Sequence, residues 1–313
     1  TKDGATYKLV VNGFSPVTGS TCPATMPANT TTQFLTKESG SSKACIYATL
    51  ARVRSLVIKK QVTTPVSGAT IPSTTFAFTS DSDRLGSPWD NRSFNLTPTQ
   101  STPDQTAASE IIQGETVTVD EAVPSADTWE LTDIVCKDGT GANVPISNKN
   151  LANGSFALTA GEPATVSAEP ITCTYTNTYT PKANLTLKKT VDGGSAQPTA
   201  WTLTANGPSP ISGASGAASV TNKRVTAGTY AVGESGATAG YVPEGWYCKT
   251  AAGGNVPVTN GNVNIADGAN VTCTVNNRYA RGKFQITKTV TGPAGGFTGT
   301  NSTPFTGTYT CTG

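Results

Sequence analysis

Lysine, glutamate and asparagine, which together supply a nucleophile, an acid and an amide, recur in phase along this chain. The segments SLVIKKQV (55–62) and NLTLKKTV (184–191) each carry a double lysine. Side chains alternate faces along a strand, so residues two apart share a face. Leu56, Ile58, Lys60 and Val62 then form one row, and Leu185, Leu187, Lys189 and Val191 another. A lysine stands third in each apolar row, while Lys59 and Lys188 fall on the polar face. The segments TVTVDEAV (116–123) and TYAVGESG (229–236) place Glu121 behind Val117 and Val119, and Glu234 behind Tyr230 and Val232. In ITCTYTNTY (171–179) and VTCTVNNRY (271–279), Asn177 and Asn277 follow Cys173 and Tyr175, and Cys273 and Val275, on one face.

Each set thus turns one Lys, one Glu and one Asn toward a core. A charged side chain is costly to bury unless it is paired or neutralised. A buried ion pair explains the lysine and the glutamate but leaves the asparagine without a part. The sharper expectation is a self-formed amide. In an apolar site the amine loses its proton more readily and the carboxyl is held protonated. The neutral amine attacks the Asn side-chain carbonyl, and the acid polarises that carbonyl and passes the proton to departing ammonia. The expected links are Lys60–Asn177, promoted by Glu121, and Lys189–Asn277, promoted by Glu234.

The elements that must position these residues are short, alternate apolar with polar residues, and are bounded by Gly, Pro, Asn or Asp. The chain has 313 residues, 32 Gly, 20 Pro, 13% charged residues and no histidine. Gly, Pro and abundant Thr disfavour helix interiors, while the strand-period apolar pattern argues against disorder. Without histidine the usual Ser-His and Cys-His nucleophiles and the common zinc ligands are missing, so we expect no turnover enzyme, no metal and no cofactor. A net charge of +2 without a basic run gives no nucleic-acid footprint. No stretch approaches the roughly 18 apolar residues of a membrane span.

Self-comparison sets the domains. WELTDIVCKDGTGANVPISN (129–148) repeats as GWYCKTAAGGNVPVTN (245–260), each followed by a Thr-Cys-Thr strand. One unit runs over 53–180 and the next over 181–280. A third first strand, KFQITKTV (283–290), opens a partial unit at 281–313. Residues 1–52 read as the C-terminal part of an incomplete β domain, with a middle strand QFLTKESG (33–40) and a last strand ACIYATLA (44–51). In a composite of the two ends, Lys288 and Glu38 have counterparts, but Thr49 fills the Asn slot, so no cross-link is expected there. The fold class is all-β: immunoglobulin-like or prealbumin-like sandwiches strung end to end.

The first-strand lysine, the Tyr-x-Val-x-Glu of TYAVGESG and the terminal Asn-x-Tyr strand resemble the collagen-adhesin B-type domain. This is the prealbumin-like module of Gram-positive pilins and surface adhesins. The GWYC and CTYTNT segments are similar to its disulfide-bearing actinobacterial form. The resemblance covers about 53–280 and implies the two Lys–Asn links given above. Of seven cysteines, Cys136 and Cys173 repeat as Cys248 and Cys273, and both pairs are expected as intradomain disulfides. Cys22–Cys45 is the local option for the remainder, with Cys311 left over or bonded to Cys22 if the ends meet. The absence of any C-x-x-C pair fits structural disulfides in an oxidising compartment. The chain opens on Thr1 without a leader and reads as a mature segment.

The expected function is an extracellular structural or adhesive surface protein, a stalk or fibre shaft of the cell wall, with an unspecified host or surface ligand. One alternative is a self-associating fibre subunit, in which residues 281–313 of one chain complete residues 1–52 of the next. Another is a carbohydrate- or ice-binding module, for which Trp89 in the loop SPWDNRS is the candidate contact.

Overall fold

The computed structural model describes residues 5–17, 21–36, 38–161, 168–236 and 238–280, with Gly282, Ile286 and Thr308 beyond them. The expectations for Lys288, Cys311 and the strand at 283–290 therefore lie outside the described residues, Ile286 excepted.

The first part of the chain forms β1 (Tyr7–Pro16), β2 (Ala44–Thr63), β3 (Phe76–Ser82), β4 (Arg92–Leu96), β5 (Asp104–Gln105), β6 (Ser109–Ile112), β7 (Thr116–Ala122), β8 (Trp129–Lys137), β9 (Ser147–Asn150), β10 (Ser155–Thr159) and β11 (Ile171–Tyr179). One sheet runs β1-β2-β11-β8, with β5 and β6 also on β2; the facing sheet runs β4-β3-β7-β10-β9. The second part forms β12 (Lys182–Asp192), β13 (Thr202–Asn206), β14 (Ile211–Ala214), β15 (Lys223–Thr226), β16 (Gly228–Ser235), β17 (Tyr241–Thr250), β18 (Asn255–Val256), β19 (Val258–Thr259), β20 (Asn262–Ile265) and β21 (Asn270–Tyr279). Its sheets run β15-β12-β21-β17-β18 and β14-β13-β16-β20-β19.

Two antiparallel-rich sheets, each apolar on one face, bury that face against each other. Burial along β11 alternates strictly, as the Thr-rich outer and Cys/Tyr/Asn inner rows require. The first core gathers Leu56, Ile58, Phe78, Val119, Ile134, Phe156 and Tyr175; the second gathers Leu185, Leu187, Leu203, Tyr230, Val263 and Val275. In both domains the first and last strands are parallel neighbours. Leu56 stands opposite Ile171 and Val62 opposite Asn177; Leu185 stands opposite Val271 and Val191 opposite Asn277.

The N-terminal part differs from the sequence reading. β2 is one continuous strand of 20 residues, so the expected last strand 44–51 and first strand 55–62 are a single element. No Gly or Pro interrupts Arg52-Val53-Arg54, and the buried Arg54 is tied across the sheet to the Glu169 carboxylate at 2.6 Å and to the Gly161 carbonyl at 2.9 Å. The described residues of 33–40 form no strand. Phe34 packs on Phe14, Glu38 lies exposed in a turn, and Ser39 takes a left-handed φ of 61°. The strand that pairs with residues 44–52 is instead β1, where Leu9 opposes Leu50 and both stay exposed.

Trp89, the candidate contact of the carbohydrate- or ice-binding alternative, is fully buried. The Ser80 hydroxyl donates to its carbonyl at 2.9 Å, and the Arg92 guanidinium lies 4.8 Å from its ring centroid. We predict that Trp89→Ala lowers the stability of the first domain by about 3–5 kcal/mol. Chemical denaturation checks this; a surface ligand contact would leave the transition in place.

Candidate functional site

The period-2 rows converge where the first and last strands meet the facing sheet. Lys60 lies opposite Tyr175 in the β2–β11 ladder, so Asn177 is its diagonal neighbour on the same face. Glu121 arrives from β7 on the facing sheet. Its backbone N–H donates to the Gly154 carbonyl at 2.9 Å. Gly154 has a φ of +73°, and a Cβ there would sit 2.2 Å from the Glu121 carbonyl oxygen. Glycine is the residue that permits both the backbone conformation and this approach.

The three side chains form a closed set. The Lys60 Nζ donates to Glu121 Oε2 at 2.7 Å and to the Asn177 Oδ1. The Asn177 Nδ2 donates to Glu121 Oε1 at 2.5 Å. The Lys60 and Glu121 side chains are 0% exposed, and Asn177 is equally buried. The Lys60 Nζ also sits 4.4 Å from the Phe76 ring centroid, and the Tyr175 hydroxyl donates to the Val119 carbonyl at 2.9 Å behind it.

The second set is similar but more open. The Lys189 Nζ donates to Glu234 Oε2 at 2.5 Å, 4.7 Å from the Trp201 ring centroid. The Lys189 side chain is 0% exposed and that of Glu234 13%. Asn277 is buried beside them, and its Oδ1 has no hydrogen-bond partner among the described residues. The composite set is not assembled in the described part. Glu38 is in its turn, Thr49 lies exposed on β2, and Lys288 is outside the described residues.

Burial governs the protonation of the first set. It lowers the Lys60 amine from 10.5 to about 8, against the attraction and hydrogen bond of Glu121. Burial also raises the Glu121 carboxyl, against the Lys60 charge and the hydrogen bonds from Lys60 and Asn177. Both directions favour a neutral amine beside a neutral acid. Those are the forms in which an amine is nucleophilic and a carboxyl can donate.

Three disulfides join described residues. Cys136–Cys173 and Cys248–Cys273 join directly opposed residues of β8 and β11 and of β17 and β21, with Cα–Cα distances of 3.9 and 4.0 Å. Cys22–Cys45 ties the N-terminal loop to β2. The sequence reading missed the aromatic walls of the two lysine sites. Their signal was present: FAFT (76–79) and WTLT (201–204) are equivalent, because Phe78 opposes Glu121 as Leu203 opposes Glu234. Of the other tryptophans, Trp129 is buried against Phe76 and Trp246 packs on the second core.

The structure therefore defines a tandem pair of prealbumin-like β-sandwiches. Residues 56–179 match one family model described as a prealbumin-like fold domain, and residues 180–275 match a second model of the same description. The chain belongs to this SpaA-type prealbumin-like family over those residues. No curated protein matches it. Among solved structures it is similar to a major pilin from Streptococcus pyogenes, with 14% identity over 73% of this chain and 99% of that one and a TM-score of 0.29. The T-13 major pilin of S. pyogenes has 13% identity over 72% of this chain and 98% of that one, with a TM-score of 0.28. The C-terminal fragment of the pilus adhesin SpaC from Lactobacillus rhamnosus GG has 14% identity over 74% of this chain and all of that one, with a TM-score of 0.29.

The depressed lysine gives a pH prediction for an Asn177→Ala chain, which has no amide for Lys60 to attack. None of the causes that set the Lys60 value comes from Asn177. The folded amine titrates near 8 and the unfolded one near 10.5. Between these values the unfolded state binds more protons, so stability rises with pH, by about 3 kcal/mol at most. Urea unfolding of this variant at the two ends of that window checks the sign; a flat or falling profile contradicts a buried amine of low basicity.

Proposed function

We propose that this chain is part of the shaft of an extracellular fibre or adhesin stalk, made inextensible by Lys60–Asn177 and Lys189–Asn277 amide bonds. The observation that carries this reading is the fully buried Lys60–Glu121–Asn177 set at the junction of the first and last strands. In the reaction the Lys60 Nζ attacks the Asn177 Cγ and a C–N bond forms. The Cγ–Nδ2 bond breaks, and Nδ2 leaves as ammonia. The proton lost by the amine reaches the leaving nitrogen through Glu121, which ends as it began. Lys189, Glu234 and Asn277 take the same parts in the second domain. The chemistry occurs once per site, so the chain is no turnover enzyme.

The consequence is mechanical. The first link closes a loop of 117 residues, worth about 4–5 kcal/mol by analogy with a disulfide of that span. Each link joins the strand by which force enters a domain to the strand by which it leaves. Tension then runs through covalent bonds, and the loops and facing sheet between them are bypassed. Such domains also resist proteolysis, which samples the opened state. The disulfides agree with an oxidising, extracellular setting at the cell surface. No helix among the described residues is long and apolar enough to cross a membrane. With Trp89 buried, the carbohydrate- or ice-binding alternative loses its candidate contact.

Intact mass of the reduced and alkylated chain tests the proposal. Each bond releases one ammonia, so two bonds leave the chain about 34 Da light. Tandem mass spectrometry is expected to find peptides joined at Lys60–Asn177 and Lys189–Asn277. Glu121→Ala is expected to restore about 17 Da and abolish the first junction peptide alone. A wild-type chain of full mass with unlinked peptides rules the bonds out.

A further inference from the structure

The last strand of the first domain and the first strand of the second are separated by Thr180 and Pro181 alone. Both linker residues are held. The Thr180 N–H donates to the Thr128 carbonyl at 2.8 Å, in the first domain. The Pro181 carbonyl accepts the Ala227 N–H at 2.9 Å, in the second. Asp267, in the turn before β21, reaches back across the joint. Its Oδ1 accepts the Lys182 N–H at 3.0 Å, and its Oδ2 accepts the Tyr179 hydroxyl at 2.5 Å. A second bridge stands apart from the linker: Arg224 donates from Nε and Nη2 to Asp127 Oδ2 at 2.9 and 2.5 Å.

The repeat supplies an internal comparison. Tyr179 ends β11 and packs on Trp129 at 4.9 Å between ring centroids; Tyr279 ends β21 and packs on Tyr241 at 5.0 Å. Each has a ring partner in its own domain, yet Tyr179 is 6% exposed and Tyr279 40%. Tyr179 has in addition a partner in the second domain, Asp267. Burial and the bond to Asp267 push the Tyr179 hydroxyl up to about 12, so it remains a donor throughout the physiological range.

We infer that Tyr179 and Asp267 latch the two sandwiches at a fixed mutual angle, and that Arg224–Asp127 stops rotation about the joint. Tandem domains otherwise move relative to one another unless their interface is large and apolar. One covalent connection leaves bending and twisting free. A hydrogen bond beside the linker opposes bending, and a bridge displaced from it opposes twist. The Arg224–Asp127 pair is about half exposed, so it adds little stability and weakens with salt. The partly buried Tyr179–Asp267 bond is screened less. The latch does not depend on the Lys–Asn bonds, since none of its residues belongs to either set.

Residual dipolar couplings on the full chain test it. One alignment tensor is expected to fit both domains of the wild type at low salt. In Asp267→Ala combined with Arg224→Ala, two tensors of different magnitude are expected. Each domain should still fit its own half, and tryptic cleavage after Lys182 should quicken about tenfold. Tyr179→Phe removes only the hydroxyl and leaves the Asp267–Lys182 bond, so it separates the latch from damage to the turn; it too should need two tensors. A wild type that needs two tensors, or variants that keep one, overturns the inference. Junction peptides should be unchanged in all variants, and domain melting temperatures unchanged in Tyr179→Phe, which keeps this result distinct from that of the cross-links.

Discussion

The cost of burying the Lys60 amine is the constraint around which the first domain is arranged. An ammonium removed from water needs an anion, hydrogen-bond acceptors or the loss of its proton. Glu121 is brought from the facing sheet, Asn177 from the neighbouring strand, and the Phe76 ring closes the remaining side. None of the three can be placed independently. The β2–β11 register sets the lysine-to-asparagine diagonal, and the separation of the two sheets sets the reach of the glutamate. Packing of Phe78 and Tyr175, with ring centroids 5.1 Å apart, fixes that separation.

Parallel pairing of first and last strands has a second effect. A chain that enters along β2 leaves along β11 in the same direction, and β12 and β21 repeat the step. Each domain therefore passes the chain forward instead of returning it. The disulfides act on the other side of the same strands, joining β11 to β8 and β21 to β17. The last strand of each domain is held on one edge by sulfur and meets the lysine of the other. With the proposed Lys–Asn bond formed, such a strand would be fixed on both edges and would not peel away residue by residue, which is the way a ladder loaded at one end fails.

The lysine rows, the glutamate rows and the asparagine rows were legible in the sequence because a sheet with one buried face imposes a period of two. Lys60, Glu121 and Asn177 break an apolar pattern at fixed positions, and the break is visible twice. What could not be read depends on contacts between elements far apart in sequence. Phe76 and Trp201 sit in strands whose types match but whose roles become equivalent only when each is seen opposite its glutamate. Trp89 lies in a polar segment, and the fold of the loop buries it there. The repeats suggest a domain edge within the span of β2. A strand can nonetheless run through such an edge when Arg54 is paired with Glu169 and no turn residue intervenes. The segment 33–40 alternates as a strand would, yet alternation is a necessary sign of pairing and not a sufficient one.

A buried Lys–Glu pair is by itself weak evidence of stability, since apolar residues of the same volume often serve as well. The asparagine changes the argument. As separate groups the three present three lysine donors, two amide donors and several acceptors in a space that accommodates three hydrogen bonds. In the second domain the Asn277 carbonyl oxygen has no hydrogen-bond partner among the described residues. An amide formed between lysine and asparagine would remove the charge and the primary amide together. It would leave one N–H and one carbonyl, and a protonated glutamate could donate to the carbonyl while accepting from the N–H. Every polar atom at the centre of the site would then have a partner. Burial raises the Glu121 carboxyl, in the direction of the form this product needs. The environment that makes the separate ions unfavourable is thus the one in which the bonded product is fully satisfied.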